Sequence, residues 1–298
     1  MAKLFILTGC GTALVTPFKT DGSIDEAALR SLVEWQITSG VHFLVPCGST
    51  GEAVTMTPEE HVRVVAITAE VADGRVPIVA GAGSNDTAKA IAMSRALAKS
   101  GATHLLHVTP MYNKPPQRGM LAHFRAIADS GHLRVILYNV PGRTAINLTA
   151  ETTLKLAEHE MISGIKEASG DLAQIAEIIR GRPFGFAVLS GDDALTLPVI
   201  ALGGDGVISV ISNATPKEMA ELTSAALAGD LLNARVDNEC LLRWMRAAFI
   251  ESNPIPVKAA LHMMGRIGPT LRLPLVELAK EHRDTVREAL IAAGVKLK

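Results

Sequence analysis

Short apolar runs alternate with longer amphipathic stretches from the start of this chain to about residue 228. Each run is only a few residues long and ends near glycine, proline or a small polar residue, as buried parallel strands commonly do. The pattern predicts eight strands, at residues 12–15, 41–46, 76–80, 103–109, 134–139, 162–166, 185–190 and 206–210.

The stretches between these runs carry helix start signals. The segments TPEE at 57–60 and TPKE at 215–218 each place threonine before proline and glutamate three residues later, which predicts a capping box at a helix start. After the first segment, apolar residues at helical spacing predict one buried stripe, made of Val62, Val65, Ala66 and Ala69. Strands and helices therefore alternate, which is typical of an α/β protein.

Eight strand–helix units predict a (β/α)8 TIM barrel rather than a doubly wound sheet. The segment GAGSND at 81–86 is the nearest match to a dinucleotide-binding fingerprint, and it lacks the third glycine. We expect residues 1–228 to form the barrel and to carry the active site. Residues 229–298 then form a C-terminal helical region, with breaks at NPIP (253–256) and GP (268–269).

Composition excludes several classes of partner. The 298 residues are 48% hydrophobic and can bury one large core, while the net charge is −1 and the pI is about 6.8. This balance argues against nucleic acid or a membrane surface held by charge. No apolar run reaches the ~18 residues that span a bilayer. Small molecules remain as the expected substrates.

The first residues and the cysteines predict a cytoplasmic protein. LTGC at 7–10 looks like a lipoprotein cleavage box, but the apolar stretch at 4–7 is shorter than the ~7–15 residues that a signal needs. Cys10, Cys47 and Cys240 have neither disulfide-like nor zinc-like spacing, so we expect no metal.

In a barrel, functional side chains come from the carboxyl ends of the strands, and Lys166 ends the sixth predicted strand. Burial at such a position disfavours the ammonium form and lowers the lysine pKa. The neutral amine can then attack a ketone or aldehyde and form a Schiff base. The alternative role of a lone lysine at such a position is an ordinary ion pair. The residues expected around Lys166 have to distinguish between these two roles.

Those neighbours are polar residues at the other strand ends. Ser49 and Thr50 lie between two glycines and can cradle a carboxylate, or can belong to an ordinary turn. Tyr138 can relay a proton or fill the barrel, and the only other tyrosine, Tyr112, also follows a strand. Arg143 can grip a carboxylate through two parallel hydrogen bonds, or can form a surface ion pair.

Other residues are weaker candidates for a functional site. His104 and His107 lie three apart in one strand, hence on opposite faces, and cannot ligate one metal together. GDD at 191–193 offers an acidic pair, but no further acidic residue follows in that turn to complete a metal–diphosphate site. GGDG at 203–206 precedes the eighth strand and so belongs to the face that serves stability. The lysine is left to carry the chemistry.

Three segments, GSTGE at 48–52, YNVPGRT at 138–144 and GIKEASG at 164–170, resemble the pyruvate-dependent class I aldolases of the N-acetylneuraminate lyase superfamily. Within it the chain is most similar to the dihydrodipicolinate synthases, across residues 11–273 and including NPIPVK at 253–258. The resemblance implies condensation of pyruvate with L-aspartate 4-semialdehyde, a step of lysine and diaminopimelate biosynthesis. It implies no cofactor, because the protonated imine serves as the electron sink.

The same resemblance implies roles for single residues. Lys166 forms the imine with pyruvate, Thr50 binds the pyruvate carboxylate, and Ile208 lines the pyruvate pocket with its main chain. Gly191, at the end of the seventh predicted strand, is a further expected substrate-binding residue. Arg143 holds the carboxylate of the semialdehyde.

Proton transfer and assembly are linked in this family. Tyr138 moves protons through Ser49 and through Tyr112, which reaches across from a neighbouring subunit. We therefore expect a homo-oligomer, a tetramer built as a dimer of dimers. Ser49 replaces the usual threonine and keeps the hydroxyl without the methyl group that restricts χ1, so we expect a functional but looser relay.

Many relatives are inhibited by lysine in a cleft between subunits, and this chain departs from their pattern. The corresponding positions are Ala53, Val54, Pro58, His61, Asn85, Lys89 and Met111. Lys89 stands where inhibited members carry a glutamate, which replaces attraction to the ligand's ammonium groups with repulsion. Met111 replaces a common tyrosine. We expect an enzyme that lysine does not inhibit.

Two other functions remain open. A sister aldolase or hydratase would cleave a sugar acid or hydroxy-oxo acid through the same imine, but usually lacks an arginine equivalent to Arg143. A barrel that only binds a small oxo acid would have lost Lys166 or Tyr138, and both are present.

Overall fold

The computed structural model of the chain describes residues 6–298. Within that range eight parallel strands form the barrel, and the predicted (β/α)8 TIM barrel is confirmed. The strands are β1 (Gly9–Ala13), β2 (Phe43–Val45), β3 (Val79–Gly81), β4 (His104–Val108), β5 (Arg134–Asn139), β6 (Ile162–Glu167), β7 (Ala187–Ser190) and β8 (Gly206–Ser209).

The strands follow the order β2-β1-β8-β7-β6-β5-β4-β3. The ring closes between β2 and β3 through the parallel bridge Leu44–Ile78 and through the Gly81 N–H, which donates to the Pro46 carbonyl at 2.9 Å. Because all strands point the same way, their carboxyl ends gather at one mouth of the barrel, and the side chains there can form one site.

Two predicted strands are shifted for identifiable reasons. The first, predicted at 12–15, runs from Gly9 to Ala13, because its partner β8 pairs with it from Gly9 onward. It stops before Val15, whose N–H donates to the Asn213 side chain instead of to a strand. The third, predicted at 76–80, begins at Val79, after Pro77, which has no N–H to give to a ladder.

Twelve α-helices cover the outside of the barrel and its C-terminal side in the described chain. They are α1 (Glu26–Thr38), α2 (Pro58–Ala72), α3 (Thr87–Ala98), α4 (Gln117–Asp129), α5 (Pro141–Thr144), α6 (Ala150–Ala157), α7 (Leu172–Gly181), α8 (Thr196–Ala201), α9 (Pro216–Leu227), α10 (Leu231–Ala247), α11 (Ile255–Met263) and α12 (Arg283–Ala292).

The predicted start of α2 is confirmed. Helix α9 also begins at the predicted position, but without the predicted capping box. Thr57 and Glu60 form the full capping box. Thr215 does not cap α9, because its hydroxyl donates backward to the Ile211 carbonyl at 3.0 Å. The buried face of α2 also differs from the predicted stripe: besides Val65 it consists of His61, Val64, Ile67, Thr68 and Ala72.

The C-terminal helices share the core of the barrel. Trp244 of α10 is fully buried, and its indole N–H donates to the Ile211 carbonyl behind β8. Val257 and Leu261 of α11 belong to the same hydrophobic cluster as Leu14 near the end of β1. The division at residue 228 stays a prediction, since apolar packing is continuous across it.

No helix between residues 6 and 298 has the length and apolar character that crossing a bilayer requires. The expectation that the chain has no signal segment rests partly on Leu4 and Phe5, which lie outside the described residues.

Candidate active site

A cavity of about 330 Å³ opens at the carboxyl ends of the strands. Six of the eight predicted site residues line it: Ser49, Thr50, Tyr138, Arg143, Lys166 and Gly191. Helix α10 and the segment after it supply a further wall, through Met245, Phe249 and Asn253. The structure thus brings together side chains that lie up to about 200 residues apart in the sequence.

Lys166 projects into this cavity from β6 while Glu167, the next residue, faces the other side of the sheet. The Lys166 side chain is only 5% exposed, and no carboxylate of the described chain lies within salt-bridge distance of it. Burial lowers the pKa of Lys166 to about 8, with a smaller opposing effect from the Asp193 carboxylate and a reinforcing one from Arg143. About a tenth of the amine is therefore neutral at pH 7, far more than for an ordinary lysine with a pKa of about 10.5.

Tyr138 stands directly beside the lysine. The two residues are register partners in the β5–β6 pair, and the Lys166 Nζ lies 4.5 Å from the centre of the tyrosine ring. Burial raises the pKa of Tyr138 to about 12, with Arg143 acting in the opposite direction. The phenol is therefore protonated at neutral pH, so it can pass a proton on but is not a standing base.

Ser49 and Thr50 lie in a single 3-10 turn, Ser49–Gly51, directly after β2. Ser49 is exposed, whereas Thr50 is buried and its hydroxyl accepts a hydrogen bond from the Asn253 side chain at 2.8 Å. The turn is held from below, because the Thr16 hydroxyl donates to the Gly51 carbonyl at 2.8 Å. This geometry leaves both hydroxyl-bearing residues at the cavity wall.

The lack of a side chain at Gly191 leaves space for the Lys166 side chain. A Cβ atom added at this position would lie 2.6 Å from the Ala168 Cβ and 3.1 Å from the Lys166 Cε. Any side chain would therefore press on the lysine stem or on its neighbour. Arg143, in the short helix α5, borders the same cavity and donates from Nη2 to the Asn253 carbonyl at 3.0 Å.

The other two predicted site residues lie elsewhere. Ile208 is fully buried in β8, in the interior cluster that also contains Tyr138 and Leu189, and Val210 is the residue of that segment that lines the cavity. Tyr112 does not line the cavity of its own chain: it is 90% exposed and has a left-handed φ of 72°.

The two histidines of β4 have separate surroundings. The His104 Nδ1 lies 3.0 Å from the Thr103 hydroxyl, and the His107 Nε2 lies 3.2 Å from the Ser94 hydroxyl of α3. Among residues 6–298, no cluster of histidine, cysteine and acidic side chains has the form of a metal site.

Asp193 is a residue whose place in the site the sequence did not reveal. It is 1% exposed, and its Oδ2 accepts hydrogen bonds from the N–H groups of Val210 and Ile211 at 3.1 and 3.4 Å. Burial raises its pKa to about 6. The acidic pair at 191–193 was the available signal, and it indicates a charge near Lys166 rather than a metal ligand.

A second lysine is buried beside the site and has different partners. The Lys258 Nζ of α11 donates to the Glu52 carboxylate at 2.6 Å and to the Thr16 carbonyl at 3.0 Å, and it is 0% exposed. Glu52 directly follows the turn that carries Thr50, and its other oxygen accepts the Arg272 N–H at 3.1 Å. This ion pair supports the turn from outside the cavity.

Comparison with known proteins adds the chemistry that relatives perform. Residues 6–293 match the model of the dihydrodipicolinate synthetase family. The 4-hydroxy-tetrahydrodipicolinate synthase of Koribacter versatilis is 53% identical over 290 residues, which cover 97% of each chain. This extent and level of similarity include every segment that contributes to the cavity.

Many solved structures match the whole fold, including the following two. The chloride-inhibited dihydrodipicolinate synthase of Acinetobacter baumannii, in complex with pyruvate, superposes with a TM-score of 0.95 at 44% identity, covering 97% of this chain and 99% of that one. The enzyme of Cyanidioschyzon merolae with lysine bound superposes with a TM-score of 0.94 at 42% identity, with the same coverage.

Proposed function

Because the chain belongs to the dihydrodipicolinate synthetase family, we propose that it condenses pyruvate with L-aspartate 4-semialdehyde to 4-hydroxy-tetrahydrodipicolinate. The observation that carries the proposal is Lys166: a buried amine with a pKa of about 8, placed against Tyr138 in a cavity that also presents Arg143. A lysine in these surroundings is suited to attack a carbonyl carbon.

In the first half of the reaction, the Lys166 amine attacks C2 of pyruvate, and loss of water leaves a protonated imine. The Thr50 hydroxyl and the neighbouring backbone bind the pyruvate carboxylate, while Gly191 leaves room for the lysine stem. The imine cation then withdraws electrons from C3, so a C3 proton can leave through Tyr138 and an enamine forms.

In the second half, C3 of the enamine attacks the aldehyde carbon of the semialdehyde, whose carboxylate is held by Arg143. Tyr138 returns a proton to the new alkoxide. The amino group of the second substrate then attacks C2, which closes the ring and releases Lys166. Binding the two carboxylates separately orients both reacting carbons, which is a main source of rate in such condensations.

Trapping the imine tests this mechanism. Incubation with pyruvate and borohydride should inactivate the protein and add one reduced pyruvate to Lys166, as read by mass spectrometry of peptides. Lys166→Arg should abolish the adduct, since a guanidinium stays protonated and is no nucleophile. Lys258→Arg serves as the matched control and should keep it. An adduct on Lys258 would refute the proposal.

The second substrate is tested through Arg143. Arg143→Ala should raise the KM for the semialdehyde by about 10- to 150-fold, the value of a charge-assisted contact, and should leave pyruvate trapping intact. Equal activity with a neutral sugar aldehyde, together with no effect of the substitution, would favour a sister aldolase instead.

A relay through a second subunit is part of the proposal. A small cavity of about 80 Å³ is lined by Ser49 and Tyr138 on its inner side and by Val54 and Met111 on its outer side. Val54 is 89% exposed, and the neighbouring Tyr112 is 90% exposed. A partner that covers this surface and places its own Tyr112 near Ser49 would complete the relay, which supports a dimer as the unit of the proposed tetramer.

The cytoplasm is the compartment we propose for this reaction. Cys10 and Cys47 are buried free thiols and Cys240 is an exposed one. Free thiols, one of them open to solvent, are what a reducing compartment maintains.

Insensitivity to lysine also belongs to the proposal. A cleft of about 410 Å³ is lined by five of the seven predicted positions: Ala53, Val54, Pro58, His61 and Lys89. Its lining residues include the Lys89 cation and no acidic side chain. The His61 Nε2 is already 2.7 Å from the Gly81 carbonyl, so it is engaged within the chain.

A cleft without an anion offers the two ammonium groups of lysine nothing to pair with. We expect millimolar L-lysine to leave the activity unchanged in a coupled assay, and Lys89→Glu to make the enzyme more sensitive. Half-inhibition of the unmodified protein below about 1 mM, a binding energy of roughly 4 kcal/mol, would contradict this expectation.

A further inference from the structure

One residue of the C-terminal region contacts both groups that the proposed function assigns to substrate carboxylates. Asn253 follows α10, is 6% exposed and lines the cavity. Its side-chain Nδ2 donates to the Thr50 hydroxyl at 2.8 Å, and its main-chain carbonyl accepts from the Arg143 Nη2 at 3.0 Å. The side chain thus serves one substrate site and the backbone serves the other.

The polarity of the contact with Thr50 has a chemical consequence. The amide nitrogen can only donate, so the threonine oxygen accepts and its own hydrogen remains free for another bond. Thr50 lies at the cavity wall. Within residues 6–298, its hydroxyl has Asn253 as its hydrogen-bond partner. A free O–H at this wall is suited to donate to a carboxylate oxygen in the cavity.

Within residues 6–298, the amide oxygen of Asn253 contributes no hydrogen bond to the stability of the fold. This Oδ1 atom is buried and has no hydrogen-bond partner in the part of the chain that is described. A buried acceptor without a partner costs about 1–3 kcal/mol, so an apolar side chain would serve packing better. The asparagine therefore needs an explanation other than stability, and the donor that it presents to Thr50 supplies one.

We propose that Asn253 is a positioning residue that holds the Thr50 hydroxyl as a hydrogen-bond donor to the carboxylate of the 2-oxo acid substrate. This inference rests on the proposed function for the identity of that substrate. It assigns to the C-terminal region a part in selecting pyruvate, beyond covering the barrel.

Reversing the polarity of the side chain tests the inference. In Asn253→Asp the carboxylate can only accept, so the Thr50 hydrogen turns toward residue 253 and its lone pairs face the substrate. The KM for pyruvate should rise by about 10- to 150-fold, while Asn253→Ala, which merely frees the hydroxyl to rotate, should raise it by about 2- to 12-fold.

The KM for the second substrate separates positioning from general damage. Arg143 contacts the main-chain oxygen of residue 253, which every substitution keeps, so the semialdehyde KM of Asn253→Ala should stay close to its original value. Arg143→Ala is the matched control and should show the reverse pattern. Equal rises in both KM values, accompanied by a lower melting temperature, would show a structural role and overturn the proposal.

Borohydride trapping with pyruvate alone makes the test independent of the second substrate. If the unmodified protein traps pyruvate but does not use the semialdehyde, the proposed reaction fails and the role of Asn253 can still be measured. Methyl pyruvate, which lacks the carboxylate charge, should be trapped almost equally by the unmodified protein and Asn253→Ala. Unchanged trapping of pyruvate by Asn253→Asp would refute the inference.

Discussion

Among residues 6–298 two lysines are buried, and they differ in whether a carboxylate lies against the Nζ atom. Lys258 is enclosed with the Glu52 carboxylate, the Thr16 carbonyl and the Phe18 ring, whose centre lies 4.4 Å from its Nζ. Lys166 has an aromatic neighbour as well, but open space where Lys258 has an anion. Burial lowers the pKa of both, and only at Lys258 does an adjacent carboxylate strongly favour the charged form.

The comparison teaches that burial alone does not make a nucleophile. A buried ammonium with a partner carboxylate is a structural element, whose removal leaves an unpaired charge behind. A buried amine without such a partner is disfavoured in its ammonium form, and the proposed role in imine formation accounts for its presence. The same substitution should therefore lower the free energy of unfolding at Lys258 and raise it at Lys166.

The largest effect is expected at the paired lysine. Lys258→Met should lower the free energy of unfolding by about 3–5 kcal/mol, because Glu52 would keep a buried charge without its cation. Denaturant titration measures this change. The double variant Lys258→Met with Glu52→Gln should recover most of the loss, and a double variant as unstable as the single one would show that the ion pair is not its source.

A smaller change of opposite sign is expected at the reactive lysine. Lys166 has a pKa of about 8 in the fold against 10.5 in its ordinary state. The folded chain binds this proton more weakly than the unfolded chain, so stability falls as the pH drops from about 10.5 to about 8 and stays lowered below that range.

Lys166→Met removes this penalty and should raise the free energy of unfolding at pH 7 by about 1–3 kcal/mol, while abolishing activity. Urea unfolding of the unmodified protein and of Lys166→Met, at pH 7 and at pH 10.5, measures this difference. The gain in the free energy of unfolding should be smaller at the higher pH. A variant that is destabilised at pH 7 would mean that Lys166 is stabilised by its surroundings like Lys258.

The smallest effect concerns the anion near the reactive lysine. Asp193→Asn keeps an oxygen to accept the Val210 N–H but removes the charge that raises the pKa of Lys166. The pH at which imine formation reaches half its maximum should therefore move below about 8, by at most about one pH unit. Rates of pyruvate trapping between pH 6 and pH 9 measure this, and a shift to higher pH would contradict the assigned sign.

Local patterns predicted the barrel because each strand–helix unit repeats the same two periods. They placed α2 correctly but not its buried face, since a barrel helix contacts both the strands beneath it and the helices beside it. Val62 and Ala69 consequently pack at the margin of the core, while Val64 and Thr68 are buried. A single stripe of apolar residues cannot distinguish these two contacts.

Six of the eight predicted site residues line the cavity, because they follow strands whose carboxyl ends the topology gathers at one mouth of the barrel. Asn253 could not be assigned a role from the sequence, because its partners Thr50 and Arg143 belong to distant segments that only the folded C-terminal region approaches. Asp193 was visible as part of an acidic pair, but its place near Lys166 depends on how the turn after β7 packs against the residues that follow β8.

The late position of α10 and Asn253 also sets an order of events on the ribosome. The eighth strand ends at Ser209, and Asn253 lies 44 residues further along the chain. At ordinary elongation rates these 44 residues take roughly 2–9 s to synthesise, and the barrel segments precede them throughout. Lys166 is thus made before the wall that borders its cavity, and under the role proposed for Asn253 a newborn chain would select pyruvate only once this later segment has docked.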